Sequence, residues 1–405
     1  MKIDVSKLRQ ELDKRESWKI QEKWGSLIQD KRKQKNWSLN ELADGICSPS
    51  YLSRIENGLT TPSENLITRL LDKLWLNWTD DQINIWVLRE ITKGILYGIQ
   101  IDESFNNLQY DDFNSLVVVI GYNVYNKNYA DAIKAYNWLR SYIMFLSDEG
   151  RNYLLLFLSI LSFKTHNYVN AFDIIELINL KDNEDDNLTY LQRIIRVKSG
   201  LLLNKIAIIH SDYPDIIDDL RNDGLIEQSD SLQKAFLLYF ARYQSVDKIK
   251  KKLEKMETID ERSYDYILGK AYFYNKDYEE AIKIAAKYYQ TDKDFWFLVL
   301  RTLNILDDTD SIKVLISHMH KFNLSKGKKF LVELYQNKHF QDDKRFLKFL
   351  RYNLLENEIF IEEYEILTEV TYEASDAFKK YFMYKESNQV SQTILPKLKN
   401  MVFYK

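Results

Sequence analysis

The order of apolar and polar positions divides the chain into a short set of N-terminal helices and a long series of helix pairs. Trp24, Leu27 and Ile28 recur with helical spacing, so residues 20–35 are predicted to form an amphipathic helix. Shorter helices follow, with apolar faces at Leu39 and Leu42, at Leu52 and Ile55, and from Leu66 to Leu74. The chain has only 4 Pro and 11 Gly, which argues against long loops and a β-turn-rich architecture, and the pattern predicts an all-α protein.

The start and stop signals of the N-terminal helices are well defined. Ser38 followed by Glu41 predicts a capping box, in which each side chain satisfies a free backbone amide of the other. Gly45 ends that helix, because glycine adopts a left-handed conformation without penalty. Ser48 then acts as the N-cap of the next helix, with proline at its first position. Two short helices joined by a tight turn are predicted.

This layout is that of a helix-turn-helix, whose second helix enters the major groove of DNA. We predict contacts with base edges and nearby phosphates from the first turns of that helix, at Ser50, Tyr51 and Arg54. Hydroxyl and amide groups suited to phosphate oxygens are Ser38, Asn40, Ser48 and Ser53. The sequence-independent, salt-dependent part of the affinity is assigned to Lys31, Arg32, Lys33 and Lys35.

Structural roles compete with these DNA-binding assignments. Helix capping alone explains Ser48, and Arg54 has a possible ion-pair partner in Glu56. A run of basic residues is usually a solvated helix end. Ser50 and Tyr51 have the weakest structural explanation, since no apolar face requires them.

The run GICSPSYLSRIENGLTTPS, together with the preceding Ser-x-x-Glu-Leu-Ala, resembles the XRE (Cro/C1-type) helix-turn-helix family. The resemblance covers residues 20–76. It departs from the family at Asn40, where many members carry glutamine. Residues 1–19 form a charged extension before the usual start of the domain. The extension is either a flexible arm or a segment that packs on the fourth helix in a dimer.

A second resemblance, to tetratricopeptide repeats, covers part of the remaining chain. Residues 264–290 contain Leu-Gly-x-x-Tyr, then Asn-Lys-Asp-Tyr, then Ala-Ile, with small residues where two helices press together. Weaker copies occur at residues 121–139 and 163–178. Further apolar helix pairs are predicted near 191–222, 232–254, 295–319, 329–352 and 360–383. The resemblance implies a right-handed α-solenoid of tetratricopeptide-like pairs over residues 96–405.

Stacked helix pairs form an extended concave surface that suits an elongated ligand. A bound peptide presents backbone donors and acceptors, which asparagine side chains can match because they donate and accept at once. Asn123, Asn204 and Asn304 are the predicted peptide contacts, with Arg196 and Arg301 available for a carboxylate. The alternative is that each of these is an ordinary solvated or helix-end polar residue.

The two resemblances together are typical of the Rgg, PlcR and NprR group of peptide-pheromone receptors. Membership in that group would imply a cytoplasmic transcription regulator that binds double-stranded DNA, forms a homodimer and responds to a short linear signalling peptide. Residues 77–95 would then be a linker helix between the DNA-binding and repeat domains. Competing interpretations are a repeat-based protein-interaction module and a phage- or plasmid-type repressor that no peptide controls.

Composition narrows the possible functions without identifying one. The net charge is −3, with an excess of two positive charges in residues 1–80. Cys47 is the single cysteine, so no intramolecular disulfide can form; burial is a simpler role for it than oxidant sensing. No metal-ligand spacing, phosphate loop or nucleophile motif occurs. We therefore expect a protein that is not an enzyme, with no cofactor, metal or membrane partner.

Overall fold

The computed structural model describes residues 3–13, 25, 28–33, 35–74, 81–101, 113–140, 143, 146–180, 185–256, 258–357, 361 and 363–402. Trp24 and Leu27, half of the predicted first helix and the start of the predicted linker lie outside these ranges. Every regular element in the described part is helical, which confirms the all-α prediction. Within the same part, no helix is long and apolar enough to cross a membrane.

The chain divides into two compact units, Met1–Thr165 with Asp173–Gln192, and His166–Phe172 with Arg193–Lys405. This boundary falls inside the repeats, so the predicted domain limits at residues 19, 76 and 95 remain predictions.

The first unit contains the N-terminal helices and the earliest helix pairs. Residues 28–33 are helical. The other helices that lie wholly within this unit are α1 (Val5–Asp13), α2 (Leu39–Ala43), α3 (Pro49–Glu56), α4 (Glu64–Lys73), α5 (Asp81–Tyr97), α6 (Phe113–Tyr125), α7 (Tyr129–Leu139) and α8 (Asp148–Lys164). Helix α9 (Tyr168–Ile175) and helix α10 (Asp186–Leu203) each contribute residues to both units.

The second unit is a succession of helix pairs ending in a long hairpin. Its helices are α11 (Ile206–Asn222), α12 (Ile226–Phe240), α13 (Val246–Leu253), α14 (Glu261–Tyr274), α15 (Tyr278–Ala285), α16 (Lys293–Leu306), α17 (Thr309–Ser317), α18 (Lys326–Phe340), α19 (Asp343–Arg351), α20 (Tyr364–Lys380) and α21 (Tyr384–Val402). A 3-10 turn, Met319–Lys321, follows α17, and a π-helical turn, Tyr352–Glu356, follows α19.

The α14–α15 pair shows why the tetratricopeptide pattern folds as it does. A Cβ atom added at Gly269 would lie 3.1 Å from a methyl group of Leu298 on α16, so the absence of a side chain there allows α16 to pack closely. Ala281 is completely buried, and the ring of Tyr278 packs edge-on against Phe273 across the turn. These contacts lock the two helices of the pair and seat the next pair.

Within the N-terminal extension, Val5–Asp13 form a helix instead of a free arm. Leu8 of α1 is 1% exposed. A cavity between α1 and α7 has a volume of about 320 Å³ and is lined by Ile3, Leu8, Tyr136 and Ile143, among others. The described part of the extension therefore packs on a repeat helix of its own chain.

The prediction of a helix pair over residues 360–383 was wrong. Tyr364–Lys380 is one continuous helix, α20, and it forms a hairpin with α21. The apolar periodicity continues through the whole segment, with Ile366, Val370 and Phe378 buried, so no turn interrupts it.

Candidate DNA interface and A-helix face

The turn between α2 and α3 is fixed by capping interactions on both sides. The Ser38 hydroxyl accepts a hydrogen bond from the Glu41 amide at 3.2 Å, while a Glu41 carboxylate oxygen accepts one from the Ser38 amide at 2.6 Å. Ser48 caps α3 by accepting from the Tyr51 amide at 3.2 Å. The predicted capping box and N-cap are confirmed. Gly45, with φ of 72°, makes the turn.

Two basic side chains of α4 hold the same turn from the other side. Arg69 donates to the Gly45 carbonyl and Lys73 to the Asp44 carbonyl, each at 2.6 Å. Cations are favourable at these free carbonyl groups, because the carbonyls carry the negative end of the helix dipole. The entry angle of α3 is therefore set by α2 and α4 together.

The four basic residues predicted to bind DNA phosphates lie in different environments. They are Lys31, Arg32, Lys33 and Lys35. Arg32 is 11% exposed and donates two hydrogen bonds of 2.7 Å to the carboxylate of Glu56, whose side chain is 2% exposed. Its remaining terminal nitrogen donates to the Trp37 carbonyl at 2.7 Å. The structure thus places Arg32 inside the domain, where it joins the helical residues 28–33 to α3.

The neighbouring lysines lie nearer the surface. The ammonium of Lys31 is 4.5 Å from the ring centre of Trp138, and that of Lys35 is 5.4 Å from the ring centre of Trp37, both within cation–π range. Lys33 is exposed.

The outer face of α3 carries the predicted base-reading residues. Ser50 and Arg54 are exposed and four positions apart, which places them on one side of the helix. The alternative partner of Arg54 is occupied, since Glu56 is buried against Arg32. Tyr51 and Ser53 are half-buried, and the Asn57 amide group donates to the Ser53 carbonyl at 2.7 Å. The predicted Asn40 is exposed on α2.

Cys47 is half-buried beside the start of α3. Burial raises the pKa of its thiol, although Arg69 acts in the opposite direction. The thiol is therefore not activated at neutral pH, which agrees with a packing role.

In the second unit, the first helices of four successive pairs, α12, α14, α16 and α18, bring their polar residues to one side. We call this side the A-helix face. Lys338 is thirty-four residues from Asn304, and Asn304 is the same distance from Lys270. Equal spacing at the tetratricopeptide period gives the three residues equivalent positions on α18, α16 and α14.

The A-helix face is covered by α20, which contributes three glutamates. The carboxylate of Glu365 accepts hydrogen bonds from Lys270, from Arg301 and from the Tyr274 hydroxyl. It accepts a fourth from Arg242 at 2.6 Å. Burial opposes ionisation of Glu365, but the charges of Lys270, Arg301 and Arg242 outweigh burial and hold its pKa well below the usual range. Burial lowers the pKa of Lys270 to about 7, with Glu365 opposing that shift.

The other two glutamates contact α16 and α18. Arg301 donates to Glu369 through Nε at 2.8 Å, and the Tyr335 hydroxyl also bonds Glu369. Glu373 accepts from the Asn304 amide group at 2.8 Å and from Lys338 at 2.9 Å. Asn304 Oδ1 lies 3.2 Å from the Lys338 ammonium and 2.9 Å from the His339 ring.

The structure brings together only two of the five predicted peptide contacts, Arg301 and Asn304. Asn204 is 4% exposed, and its Oδ1 accepts from the Tyr239 hydroxyl at 2.8 Å. Asn123 donates back to the Val119 carbonyl on its own helix, and Arg196 pairs with Asp212. Sequence reasoning missed Arg242, Lys270, Lys338 and the three glutamates. The thirty-four-residue spacing of Lys270, Asn304 and Lys338, and the four-residue spacing of Glu365, Glu369 and Glu373, were the available signals.

Comparison with known families and structures agrees with this architecture. Residues 28–74 match the helix-turn-helix family model, and they form the DNA-binding domain described above. The chain is similar in structure to the apo form of the quorum sensor NprR from B. thuringiensis, with 12% identity and a TM-score of 0.51. That match covers 77% of this chain and 97% of the other.

A second solved structure is PlcR of Bacillus thuringiensis in complex with the peptide PapR7 and DNA. It has 13% identity and a TM-score of 0.20, and the match covers 91% of this chain and 99% of that one. That TM-score does not indicate a shared arrangement, so only NprR bears on the fold. No curated protein matched the chain.

Proposed function

We propose that this chain, with its N-terminal helix-turn-helix domain and helical-repeat body, is a transcription regulator controlled by a short signalling peptide. The observation that carries the proposal is the joining of a DNA-binding domain to a repeat body whose A-helix face gathers buried charged and amide groups. Arginine, lysine and asparagine side chains on one face supply the donors and acceptors that the carboxylates and backbone of a peptide require. The shared fold with the quorum sensor NprR supports the proposal.

Helix α3 is the proposed recognition helix. Arg54 and Ser50 are exposed on the side that would face base edges, and Tyr51 and Ser53 flank them. Lys33, Lys31, Lys35, Ser38 and Asn40 are the proposed phosphate contacts. Ser48 acts mainly as a cap, and Arg32 acts through Glu56 by fixing α3, so neither needs to touch DNA directly.

We place the peptide on the A-helix face, with Arg301 and Asn304 among its contacts. Asn204, Arg196 and Asn123 have partners within the chain and are assigned to the framework of the repeats. The protein acts in the compartment that holds its DNA, which we propose is the cytoplasm.

The regulator is proposed to act as a homodimer, since helix-turn-helix dimers bind two half-sites about one turn apart. Helix α5, the predicted linker, buries Val87 and Ile91 but exposes 57% of Trp86. An exposed tryptophan suits a subunit interface, because aromatic residues are enriched there.

The proposal is tested by fluorescence anisotropy with duplexes from the region upstream of the chain's own coding sequence. Short peptides encoded by neighbouring small reading frames are added in turn. Sequence-preferring binding that one peptide changes supports a peptide-controlled regulator. Specific binding that no peptide changes would instead indicate a repressor, and no sequence preference would favour a protein-interaction module.

A further inference from the structure

Helix α20 packs against α18 and α19, but its contacts extend beyond this neighbouring pair. Helices in a repeat array contact only the neighbouring repeats. The side chains of α20, in contrast, reach residues of four successive pairs: Arg242 just after α12, Lys270 on α14, Arg301 on α16 and Lys338 on α18. The chain has folded back so that α20 crosses the A-helix face.

The contacts of the three glutamates with the A-helix face are all polar. Glu365, Glu369 and Glu373 are four residues apart, so they form one row along the helix. The apolar residues Leu367 and Ala374 project from a different side, and α20 packs along α21. The acidic row is therefore separate from the surface that joins the hairpin together.

The A-helix face has more donors than α20 uses. Three carboxylates face four cationic side chains, Arg242, Lys270, Arg301 and Lys338. Nε and Nη1 of Arg242 are buried, and neither has a hydrogen-bond partner among the described residues. The Arg242 guanidinium lies 5.9 Å from the ring centre of Tyr274, so this end of the face keeps a buried cation whose single carboxylate partner is Glu365 among the described residues.

We propose that α20 is a tethered acidic pseudo-ligand, and that the signal for this protein is an acidic peptide whose carboxylates replace Glu365, Glu369 and Glu373 on the A-helix face. The inference rests on the proposed function for the identity of the face as the ligand site. The peptide's terminal carboxylate counts as one of the replacing groups.

The burial of the cations dictates the chemistry of the ligand. With α20 in place, Arg301 is 4% exposed and the Lys270 side chain 8% exposed, so a ligand that takes the place of α20 must supply carboxylates for the cations that it buries. A neutral or basic peptide cannot restore those pairs. The equilibrium between α20 bound on the face and α20 displaced from it shifts only with a ligand that binds the displaced state more tightly.

A dye-labelled peptide with the sequence of residues 364–380 serves as the probe, and its binding to the full chain is followed by anisotropy. In the variant E365Q/E369Q/E373Q the tethered helix is neutralised, and we expect the probe to bind at least tenfold more tightly than to the wild type. The control variant E254Q/E279Q/E333Q changes the net charge equally at exposed positions and should match the wild type. A probe with glutamine at its three row positions should bind neither protein.

Equal probe affinity in the wild type and the folded triple variant would overturn the proposal. So would a glutamine probe that binds the triple variant as tightly as the acidic probe does. Should the triple variant unfold, E373Q is the milder substitution, because its partner Lys338 is 31% exposed. Hydrogen exchange of the wild type gives a second measurement. Excess probe should speed hydrogen exchange of the α20 amides and leave exchange of the α16 amides unchanged. Unchanged exchange in α20 would contradict the proposal.

DNA binding is measured on the same samples. If the protein shows no sequence-preferring DNA binding but responds to the probe as expected, the proposed regulator is refuted and the pseudo-ligand role of α20 is retained. If it binds DNA with sequence preference but shows no probe response, only the pseudo-ligand role is refuted.

Discussion

Arg32 and Glu56 form a two-point ion pair inside the helix-turn-helix domain, with both hydrogen bonds at 2.7 Å. The pair joins the helical residues 28–33 to α3, and Gln29 adds a contact of 3.4 Å to the same carboxylate. It buries Arg32 inside the domain and occupies Glu56, the intrahelical partner that competed for Arg54.

Arg32→Ala should destabilise the DNA-binding domain by about 3–5 kcal/mol, because a buried carboxylate loses its counter-charge. Thermal unfolding followed by circular dichroism measures the loss. The double variant R32A/E56A should recover part of it, and the exposed Lys33→Ala should change stability by no more than about 0.5 kcal/mol. Equal stabilities of R32A and K33A would show that the pair contributes nothing.

Arg54→Ala should weaken binding to a specific operator by about 10- to 100-fold, since a bidentate base contact contributes about 1–3 kcal/mol of discrimination. Binding to random duplex should change much less. Lys33→Ala is the matched control: it should weaken both duplexes alike and reduce the salt slope by about 1. The same proportional loss on both duplexes for R54A would make Arg54 a phosphate contact.

Asn204→Ala should destabilise the second unit by about 1–3 kcal/mol, because the Tyr239 hydroxyl loses a buried acceptor. Asn204 also has φ of 59°, a conformation that costs alanine about 1–2 kcal/mol. Asn204→Gly removes the same amide but tolerates that backbone, so it should be the more stable variant in urea titrations. Wild-type stability of N204A would restore Asn204 as a candidate ligand contact.

The contribution of Glu365 should depend on pH. Its folded-state pKa is depressed below the ordinary value of 4.5, so its stabilisation is present above pH 4.5 and is lost as the pH falls through the folded-state value. The difference in Tm between wild type and E365Q should therefore be largest near neutral pH and should narrow in acid. E333Q, at an exposed position, provides the baseline. A difference that stays constant from pH 7 to 3 would rule out the charge as its source.

Trp86→Ala should weaken the proposed homodimer by about 30-fold, the effect of losing a hot-spot tryptophan worth about 2 kcal/mol. Sedimentation equilibrium over a concentration series measures the dimer dissociation constant. Tyr352→Ala, which truncates an aromatic residue 58% exposed elsewhere, should leave that constant unchanged. A W86A protein that dimerises as the wild type does would exclude α5 as the interface.

The sequence by itself determined the local structure of the DNA-binding domain. The caps at Ser38 and Ser48 and the glycine turn at Gly45 act over a few residues, and each appears in the structure where the pattern predicted it. The repeat pair at residues 264–290 was equally readable, because Gly269 and Ala281 mark positions where two helices must approach closely.

Only the tertiary structure decided the roles of the charged residues. The local sequence does not show whether a basic residue is buried in an ion pair or solvated. Nothing local therefore distinguishes Arg32, which lies inside its domain, from the exposed Lys33. Glutamates every four residues look like an ordinary solvated helix face. Their partners lie 34 to 123 residues away in the chain, from Tyr335 for Glu369 to Arg242 for Glu365, and only the folding back of α20 brings them together.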